Sequence, residues 1–160
     1  MEDKSFTRGD KPASIPVGWE NKVSRRRILV VEDDDDIRRF NFEALIGSGY
    51  HVDTAVDGAE GWDTLNGSGY DLLITDNNMP KLSGVELIKK LNAAQMPVRV
   101  ILASGVSRAE ESDLRLAAIL PKPFTLEELL GTVKNVIGEA DGSEWWPQAT
   151  NRPPVDPWRV

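Results

Sequence analysis

Five polar residues each follow an apolar stretch of this sequence, and their side-chain types suit phosphoryl chemistry. Glu32 and Asp33 follow ILVV, Asp76 follows LLIT, Ser104 follows VILA, and Lys122 follows AAILP. Carboxylate oxygens are the ligands that Mg²⁺ (or Mn²⁺) prefers in proteins. An aspartate beside such an ion can act as a nucleophile toward phosphorus and form an aspartyl phosphate. A hydroxyl and an ammonium group would stabilise the transferred group electrostatically.

The apolar stretches predict five short β-strands separated by segments with helical periodicity. The predicted strands are residues 27–32, 51–55, 70–75, 98–103 and 118–120, and the predicted helices are residues 35–46, a short segment capped by Asp57, and residues 83–91, 107–116 and 125–137. Strands that are apolar throughout are typical of a parallel sheet covered by helices on both faces. Because parallel strands end at one edge of the sheet, we expect the five polar residues to converge there.

Three of the predicted helices carry more specific expectations. The first has Ile37, Phe40, Ala44 and Leu45 at helical spacing, so these side chains are expected to face the core. The last begins with TLEE, which predicts a capping box. The segment 107–116 is strongly charged and only weakly amphipathic, so we expect a short or frayed helix there.

Each candidate site residue, taken alone, also has a purely structural explanation. The acidic residues of EDDDD favour a helix N-terminus through the helix dipole, and Asp76 before NNMP is typical of a turn. Ser104 would be an ordinary strand exit, and Lys122 an exposed loop charge. The shared placement of these residues after predicted strands favours a site. Residues 34–36 are instead assigned to the solvated start of the first helix.

Composition and charge restrict the remaining possibilities. The length of 160 residues fits one domain, residues 25–138, between a polar extension, residues 1–24, and a Trp- and Pro-rich tail, residues 139–160, both expected to be flexible. A formal net charge of −7 argues against nucleic-acid binding. The absence of cysteine excludes disulfides and thiolate chemistry. Since no apolar stretch has the length of a membrane span, we expect no membrane partner and a cytoplasmic location.

Four segments in this order resemble the receiver domain of two-component response regulators: ILVVEDDDDIRR, DLLITDNNMPKLSG, VILASG and LPKPFTLEELL. The resemblance extends from residue 28 to about residue 137. It implies an α/β fold of the flavodoxin-like, doubly wound type, with five parallel strands in the order 2-1-3-4-5. It also implies a stand-alone receiver that takes a phosphoryl group from a histidine kinase or a histidine phosphotransfer protein and then changes its affinity for a downstream protein, which the sequence does not identify.

The resemblance assigns the acidic residues to separate roles. Asp76 matches the phosphorylated aspartate and Glu32 and Asp33 match the acidic pair, with Asp33 as the direct Mg²⁺ ligand and Glu32 acting through water. Asn78 matches the residue whose backbone carbonyl binds the metal. Asn77 is expected at the mouth of the pocket, where it would influence dephosphorylation.

The resemblance also assigns the switch residues, and there the sequence departs from the family pattern. Ser104 matches the hydroxyl that reorients toward the phosphoryl group, and Lys122 matches the lysine that pairs with it, with a cis bond between Lys122 and Pro123. Ile119 lies where many receivers have an aromatic ring that rotates on activation. The stretch between Ser104 and Lys122 is also a few residues shorter than the common pattern, so we expect switching to differ here.

Two other functions compete with a phosphorylated receiver. One is a phosphorylation-independent interaction module with the receiver fold, which the intact set of five polar residues disfavours. The other is a Mg²⁺-dependent phosphatase similar to the haloacid dehalogenases, which carry a D-x-D nucleophile after the first strand. Because Asp76 follows the third predicted strand, the enzyme is the weaker alternative. The expected chemistry is limited to self-catalysed phosphotransfer and dephosphorylation, without the turnover of an enzyme.

Overall fold

The computed structural model describes residues 26–105 and 114–138, and the extensions predicted for residues 1–24 and 139–160 lie outside these ranges. The described chain forms a five-stranded sheet in the order β2-β1-β3-β4-β5, in which every paired neighbour is parallel. This is the order that the resemblance implied. The elements are β1 (Arg27–Val31), α1 (Asp35–Gly47), β2 (His51–Ala55), α2 (Gly58–Gly67), β3 (Leu72–Asp76), α3 (Gly84–Ala93), β4 (Arg99–Ser104), β5 (Ala118–Pro121) and α4 (Leu126–Ile137).

Two hydrophobic layers cover the two faces of the sheet. Ile28 and Val30 of β1 belong to the layer under α1 and α4, and Leu29 and Val31 belong to the layer under α2 and α3. Successive side chains of a strand point to opposite faces, so a central strand buried on both faces must be apolar at every position. The only polar positions left in these strands are at their ends, which is why the polar residues gather at an edge.

Side-chain caps start each helix close to the edge where the strands end. Asp34 accepts hydrogen bonds from two amides of the first turn of α1, and Asp57 accepts one from the amide of Glu60 in α2. Ser83 and Thr125 each form a capping box, at α3 and α4 respectively. These caps fix where the connection after each strand turns back into a helix. The connections at this edge are therefore held in place by their own sequence.

One expectation about the helices differs from the structure, and another falls mostly outside the described residues. Phe40 is 41% exposed, and the buried face of α1 instead carries Arg38, Asn41 and Leu45. The predicted stripe is confirmed at Leu45, which is buried, and at Ala44, which packs against the core, whereas Arg38 and Asn41 take the buried positions closer to the site. In the segment 107–116, residues 107–113 lie outside the described residues. The described end of this segment, residues 114–116, is not helical.

Candidate functional site

Three carboxylates and one lysine meet at the edge where the parallel strands end. Glu32, Asp33 and Asp76 each place a carboxylate oxygen within 4.8 Å of the other two. The Nζ of Lys122 lies 2.9 Å from Oε2 of Glu32 and 3.2 Å from Oδ1 of Asp76. The lysine therefore bridges two of the three carboxylates, which come from β1 and β3. Sequence placement alone had predicted this convergence.

The end of β1 presents its two acidic residues in different environments. Glu32 is buried, its amide donates to the carbonyl of Ala55, and its carboxylate accepts from the amide of Asp34 at 3.3 Å. Asp33, one residue later, is exposed. Asp34 turns away to cap α1, as assigned from the sequence. The buried acid is thus held by its surroundings, whereas the exposed acid is open to solvent.

Burial and charge act in opposite directions on the two partners of the buried pair. Burial raises the pKa of Glu32, and the hydrogen bond and positive charge of Lys122 only partly counteract this. Burial on its own would lower the pKa of Lys122, but the hydrogen bond to Glu32 and the charges of Glu32 and Asp76 outweigh it, so that this pKa is raised. Lys122 therefore stays protonated at neutral pH and supplies a fixed positive charge to the site.

The other predicted site residues are positioned by the ends of the neighbouring strands. Ser104 is the last residue of β4, one position beyond the residue that pairs with Asp76, and its carbonyl accepts from the amide of Lys122 at 3.0 Å. The bond between Lys122 and Pro123 is cis. Asn78 is exposed in the loop after Asp76. The structure thus places Ser104 beside the cluster, while the described contacts do not include the carbonyl of Asn78.

The loop after Asp76 is packed tightly against the strand that precedes it. A Cβ on Gly84 would lie 2.1 Å from the carbonyl oxygen of Asp76, so only glycine fits at this position. Asn77 accepts a hydrogen bond from the amide of Val85 through its side chain, at 3.2 Å, so its side chain is turned toward the start of α3. The expected position of Asn77 at the pocket mouth, and its influence on dephosphorylation, stay predictions. The loop therefore holds the backbone of Asp76 against α3.

A second ion pair, which the sequence did not reveal, ties the same loop to the neighbouring connection. Nζ of Lys81 lies 2.7 Å from Oδ2 of Asp57, whose other oxygen caps α2. Lys81 has a φ of 65°, an uncommon left-handed conformation for a residue with a side chain. The hydrogen bond from Lys81, followed by the one from the Glu60 amide, lowers the pKa of Asp57. Residues 24 positions apart make this pair, so no local sequence pattern could have found it.

A buried arginine below the two acids was also missed. Arg38 is 4% exposed, and its guanidinium donates to the backbone carbonyl of Glu32 at 2.8 Å and to that of Asp33 at 3.3 Å. It also donates to the side chain of Asp35. An arginine in a charged helix start ordinarily suggests a solvated residue. The signal that could have found it is its position on the same helical stripe as Asn41 and Leu45.

The donor set fits a hard divalent cation. Three carboxylates and one ammonium leave two negative charges unbalanced within the cluster. All three ligands offer oxygen, the donor type suited to Mg²⁺ or Mn²⁺. The exposure of Asp33 leaves room for water or phosphoryl oxygens as further ligands. Within the described residues, these three acids are also the one group of three metal-ligating side chains that comes together.

Comparisons with known proteins agree with this fold. The family described as the response regulator receiver domain matches residues 28–134. The response regulator receiver protein CpdR of Brucella abortus is 34% identical over 116 residues, covering 70% of this chain and 97% of CpdR. The transcriptional regulatory protein PrrA of Mycobacterium leprae is 37% identical over 119 residues, covering 72% of this chain and 51% of PrrA.

Solved structures show the same relationship. The response regulator TrrA of Thermotoga maritima, solved in complex with Mg²⁺-BeF, has a TM-score of 0.64 and 34% identity, and the alignment covers 69% of this chain and 98% of TrrA. The chemotaxis response regulator CheY4 of Vibrio cholerae has a TM-score of 0.67 and 28% identity, and the alignment covers 70% of this chain and 98% of CheY4. The chain belongs to the response regulator receiver family and is a phosphorylation-based signalling domain. No helix within the described residues is long and apolar enough to cross a membrane.

Proposed function

We propose that Asp76 is the phosphoryl acceptor of this receiver and that Glu32, Asp33 and Asp76 hold the Mg²⁺ (or Mn²⁺) ion that the reaction requires. The observation that carries the proposal is the cluster of three carboxylates bridged by Lys122 at the carboxyl edge of the sheet. The solved complex of TrrA with Mg²⁺-BeF supports the same chemistry here. In this assignment, the carbonyl of Asn78 completes the protein ligands, and Glu32 acts through water.

The transfer step moves one phosphoryl group between two side chains. One carboxylate oxygen of Asp76 attacks the phosphorus of a donor phosphohistidine, and the new O–P bond forms as the P–N bond breaks. The electron pair of the broken bond stays on the imidazole nitrogen. Lys122, already 3.2 Å from Asp76, stabilises the negative charge of the transferred group, and the Ser104 hydroxyl donates to it afterwards. A bound divalent cation would supply further neutralisation of the phosphoryl oxygens.

The donor protein would dock on an apolar groove that is continuous with the site. Lys122 lines both the carboxylate cluster and this groove, whose other apolar lining consists of Ile37, Phe40, Pro123 and Phe124. Receivers interact with histidine kinases or phosphotransfer proteins, and a phosphohistidine can reach Asp76 only if its protein binds beside this edge. Phe40 is exposed as part of this contiguous apolar groove, and such grooves mark surfaces that a protein partner covers.

Phosphorylation would change the surface rather than the chemistry of the chain. The added charge at Asp76 would draw Ser104, the last residue of β4, toward it. Because Ile119 is 38% exposed and has no ring to rotate, the movement would be transmitted by the strand end rather than by an aromatic switch. We propose a protein as the downstream partner and the cytoplasm as the location of the chain.

The test is binding of beryllofluoride, a phosphoryl mimic, followed by amide NMR in the presence of Mg²⁺. In the wild type, the signals of residues 76, 104 and 122 should shift on addition of beryllofluoride. Asp76→Asn should abolish these shifts, and the control Asp53→Asn, which changes an exposed aspartate in the middle of β2, should retain them. Equal responses in all three proteins, or none in the wild type, would favour the phosphorylation-independent interaction module instead.

A further inference from the structure

Arg38 has an environment that its place in a surface helix does not explain. Its side chain is 5% exposed, although α1 offers ample solvent for a charged residue. Its guanidinium spans the turn between β1 and α1. Its N–H groups donate to the backbone carbonyls of Glu32 and Asp33 and to the side chain of Asp35. Burying a guanidinium is unfavourable unless its hydrogen bonds are well placed. Here those hydrogen bonds go to the backbone of the turn, which they hold in position.

The two acids depend on this turn to different degrees. The carboxylate of Glu32 is fixed directly, by Lys122 and by the amide of Asp34. Among the described residues, the side chain of Asp33 has no hydrogen-bonding or ion-pair partner. Its direction is therefore set by its backbone, and the carbonyl of that backbone is held by Arg38 at 3.3 Å.

We infer that Arg38 is a positioning residue for the divalent-cation site, which it serves by fixing the backbone from which the carboxylates of Glu32 and Asp33 project. This inference rests on the proposed function, since it concerns the same cation site. A planar guanidinium is suited to the task because its rigid fork can bind two carbonyls and a carboxylate at once. Arg38 touches neither the phosphoryl group nor the cation, and it acts through the two acids.

Two simpler roles of Arg38 predict different effects of its removal on Mg²⁺ affinity. If Arg38 acted only through its positive charge, its removal would strengthen Mg²⁺ binding, because repulsion between two cations would be lost. If Arg38 only stabilised the fold, its removal would lower the melting temperature and leave Mg²⁺ affinity unchanged. A positioning role predicts weaker Mg²⁺ binding in a protein that is still folded.

The experiment measures Mg²⁺ affinity in the unphosphorylated protein by NMR titration of the amides of residues 33 and 78. Arg38→Met should raise the Kd about 10-fold, the lower end of the range for groups that orient metal ligands. Arg38→Lys should give a Kd between those of the wild type and Arg38→Met. A lysine ammonium keeps the positive charge and can donate to one carbonyl, but it lacks the rigid fork of the guanidinium. The control is Arg39→Met, which removes the same charge from the neighbouring residue, whose side chain pairs with Glu43 on the exposed face.

A second readout separates this inference from the proposed function. In metal-free protein, the carbonyl carbon shifts of Glu32 and Asp33 should move in Arg38→Met and stay in place in Arg39→Met, whether or not the wild type binds Mg²⁺. A wild-type or tighter Kd in a folded Arg38→Met would overturn the inference, as would unchanged carbonyl shifts. If Arg38→Met fails to fold, Arg38→Lys decides, and a wild-type Kd in that variant contradicts the inference.

Discussion

Charged clusters occupy both edges of the sheet, and they differ in burial and in charge balance. At the edge where the strands begin, Arg27 pairs with Asp53 at 2.8 Å, with side chains 40% and 49% exposed, and Tyr70 donates to the same carboxylate. At the edge where the strands end, Lys122 pairs with Glu32 at 2.9 Å, with side chains only 23% and 4% exposed. The first cluster matches one cation with one anion, whereas the second has an excess of carboxylates.

This difference supports the proposal that the second cluster serves chemistry. Exposed and balanced charges are inexpensive to keep and contribute little to stability. Buried carboxylates within a few ångströms of one another repel, and hydrophobic residues of similar volume would be at least as stable. Such a cluster is expected where its charge has a use, and the use we propose is phosphorylation of Asp76.

Removal of Lys122 should be the most destabilising change at either edge. Lys122→Met leaves Glu32 buried beside Asp76 with no cation, which should lower the free energy of unfolding by about 3 kcal/mol. Chemical denaturation at neutral pH without divalent cations would measure this. The double variant Lys122→Met with Glu32→Gln should recover much of the loss, because the buried charge is gone. If Lys122→Met lost less unfolding free energy than removal of an exposed pair such as Arg27 with Asp53, the contrast between the two edges would be contradicted.

Asp57 should contribute a smaller and pH-dependent stabilisation. Asp57→Ala removes the cap of α2 and should cost about 1–2 kcal/mol. Asp57→Asn keeps a capping side chain but loses the ion pair with Lys81, so it isolates the charge.

The sign of this pH dependence follows from the lowered pKa of Asp57, caused first by the hydrogen bond from Lys81. Its stabilisation is fully present above the unfolded pKa of about 3.9 and is lost as the pH falls through the lower folded pKa. The difference in unfolding free energy between wild type and Asp57→Asn should therefore be larger at neutral pH than in strong acid. A difference that is independent of pH would show that the pair contributes nothing through its charge.

Breaking the pair at the opposite edge should have little effect. Arg27→Met removes an exposed partner of Asp53 and a cation that lies 4.6 Å from the ring centre of Tyr70. The expected loss of unfolding free energy is below about 1 kcal/mol, and added salt should reduce it further. The same denaturation series as for Lys122→Met gives the comparison. A loss as large as that of Lys122→Met would mean that exposure does not distinguish the two clusters.

Tyr70 provides the most local test of the exposed cluster. Burial, followed by the hydrogen bond to Asp53, raises the pKa of Tyr70 to about 12. The hydrogen bond therefore contributes stability below the unfolded pKa of about 10, and this contribution is lost as the pH rises through the folded value. Absorbance near 295 nm should show a late tyrosine titration that is absent in Tyr70→Phe. If Tyr70→Phe gave the same titration curve as the wild type, the late titration could not be assigned to Tyr70.

The sequence predicted the edge of the sheet well because strand ends are simple to locate. Apolar stretches identified the strands, most weakly at HVDTA, and the order of the segments identified the family, so the convergence of Glu32, Asp76 and Lys122 followed from topology. The contacts made by Arg38 did not follow, because a buried arginine looks like a solvated one in a hydrophobic pattern. Phe40 was assigned to the core for the converse reason, since spacing does not distinguish a core side chain from one that faces a groove.

The pair of Lys81 and Asp57 illustrates a second limit of the sequence. The cap formed by Asp57 was predicted from the sequence, but the pair also depends on a left-handed backbone conformation at Lys81, which no local pattern predicted. A short or frayed helix at 107–116 was predicted from its charge and weak amphipathicity alone. Only the last three residues of this segment lie within the described structure. Its role in switching, and the roles of the two chain extensions, stay predictions.

The central claim is that Asp76 is phosphorylated in a reaction that needs a divalent cation. The most direct measurement is phosphorylation with acetyl phosphate, trapping of the acyl phosphate by borohydride reduction, and mass spectrometry of the resulting peptides. The account predicts homoserine at position 76 with Mg²⁺ present, and aspartate there when the metal is chelated. Homoserine at another aspartate, or none at any position in the folded protein with Mg²⁺, would contradict it.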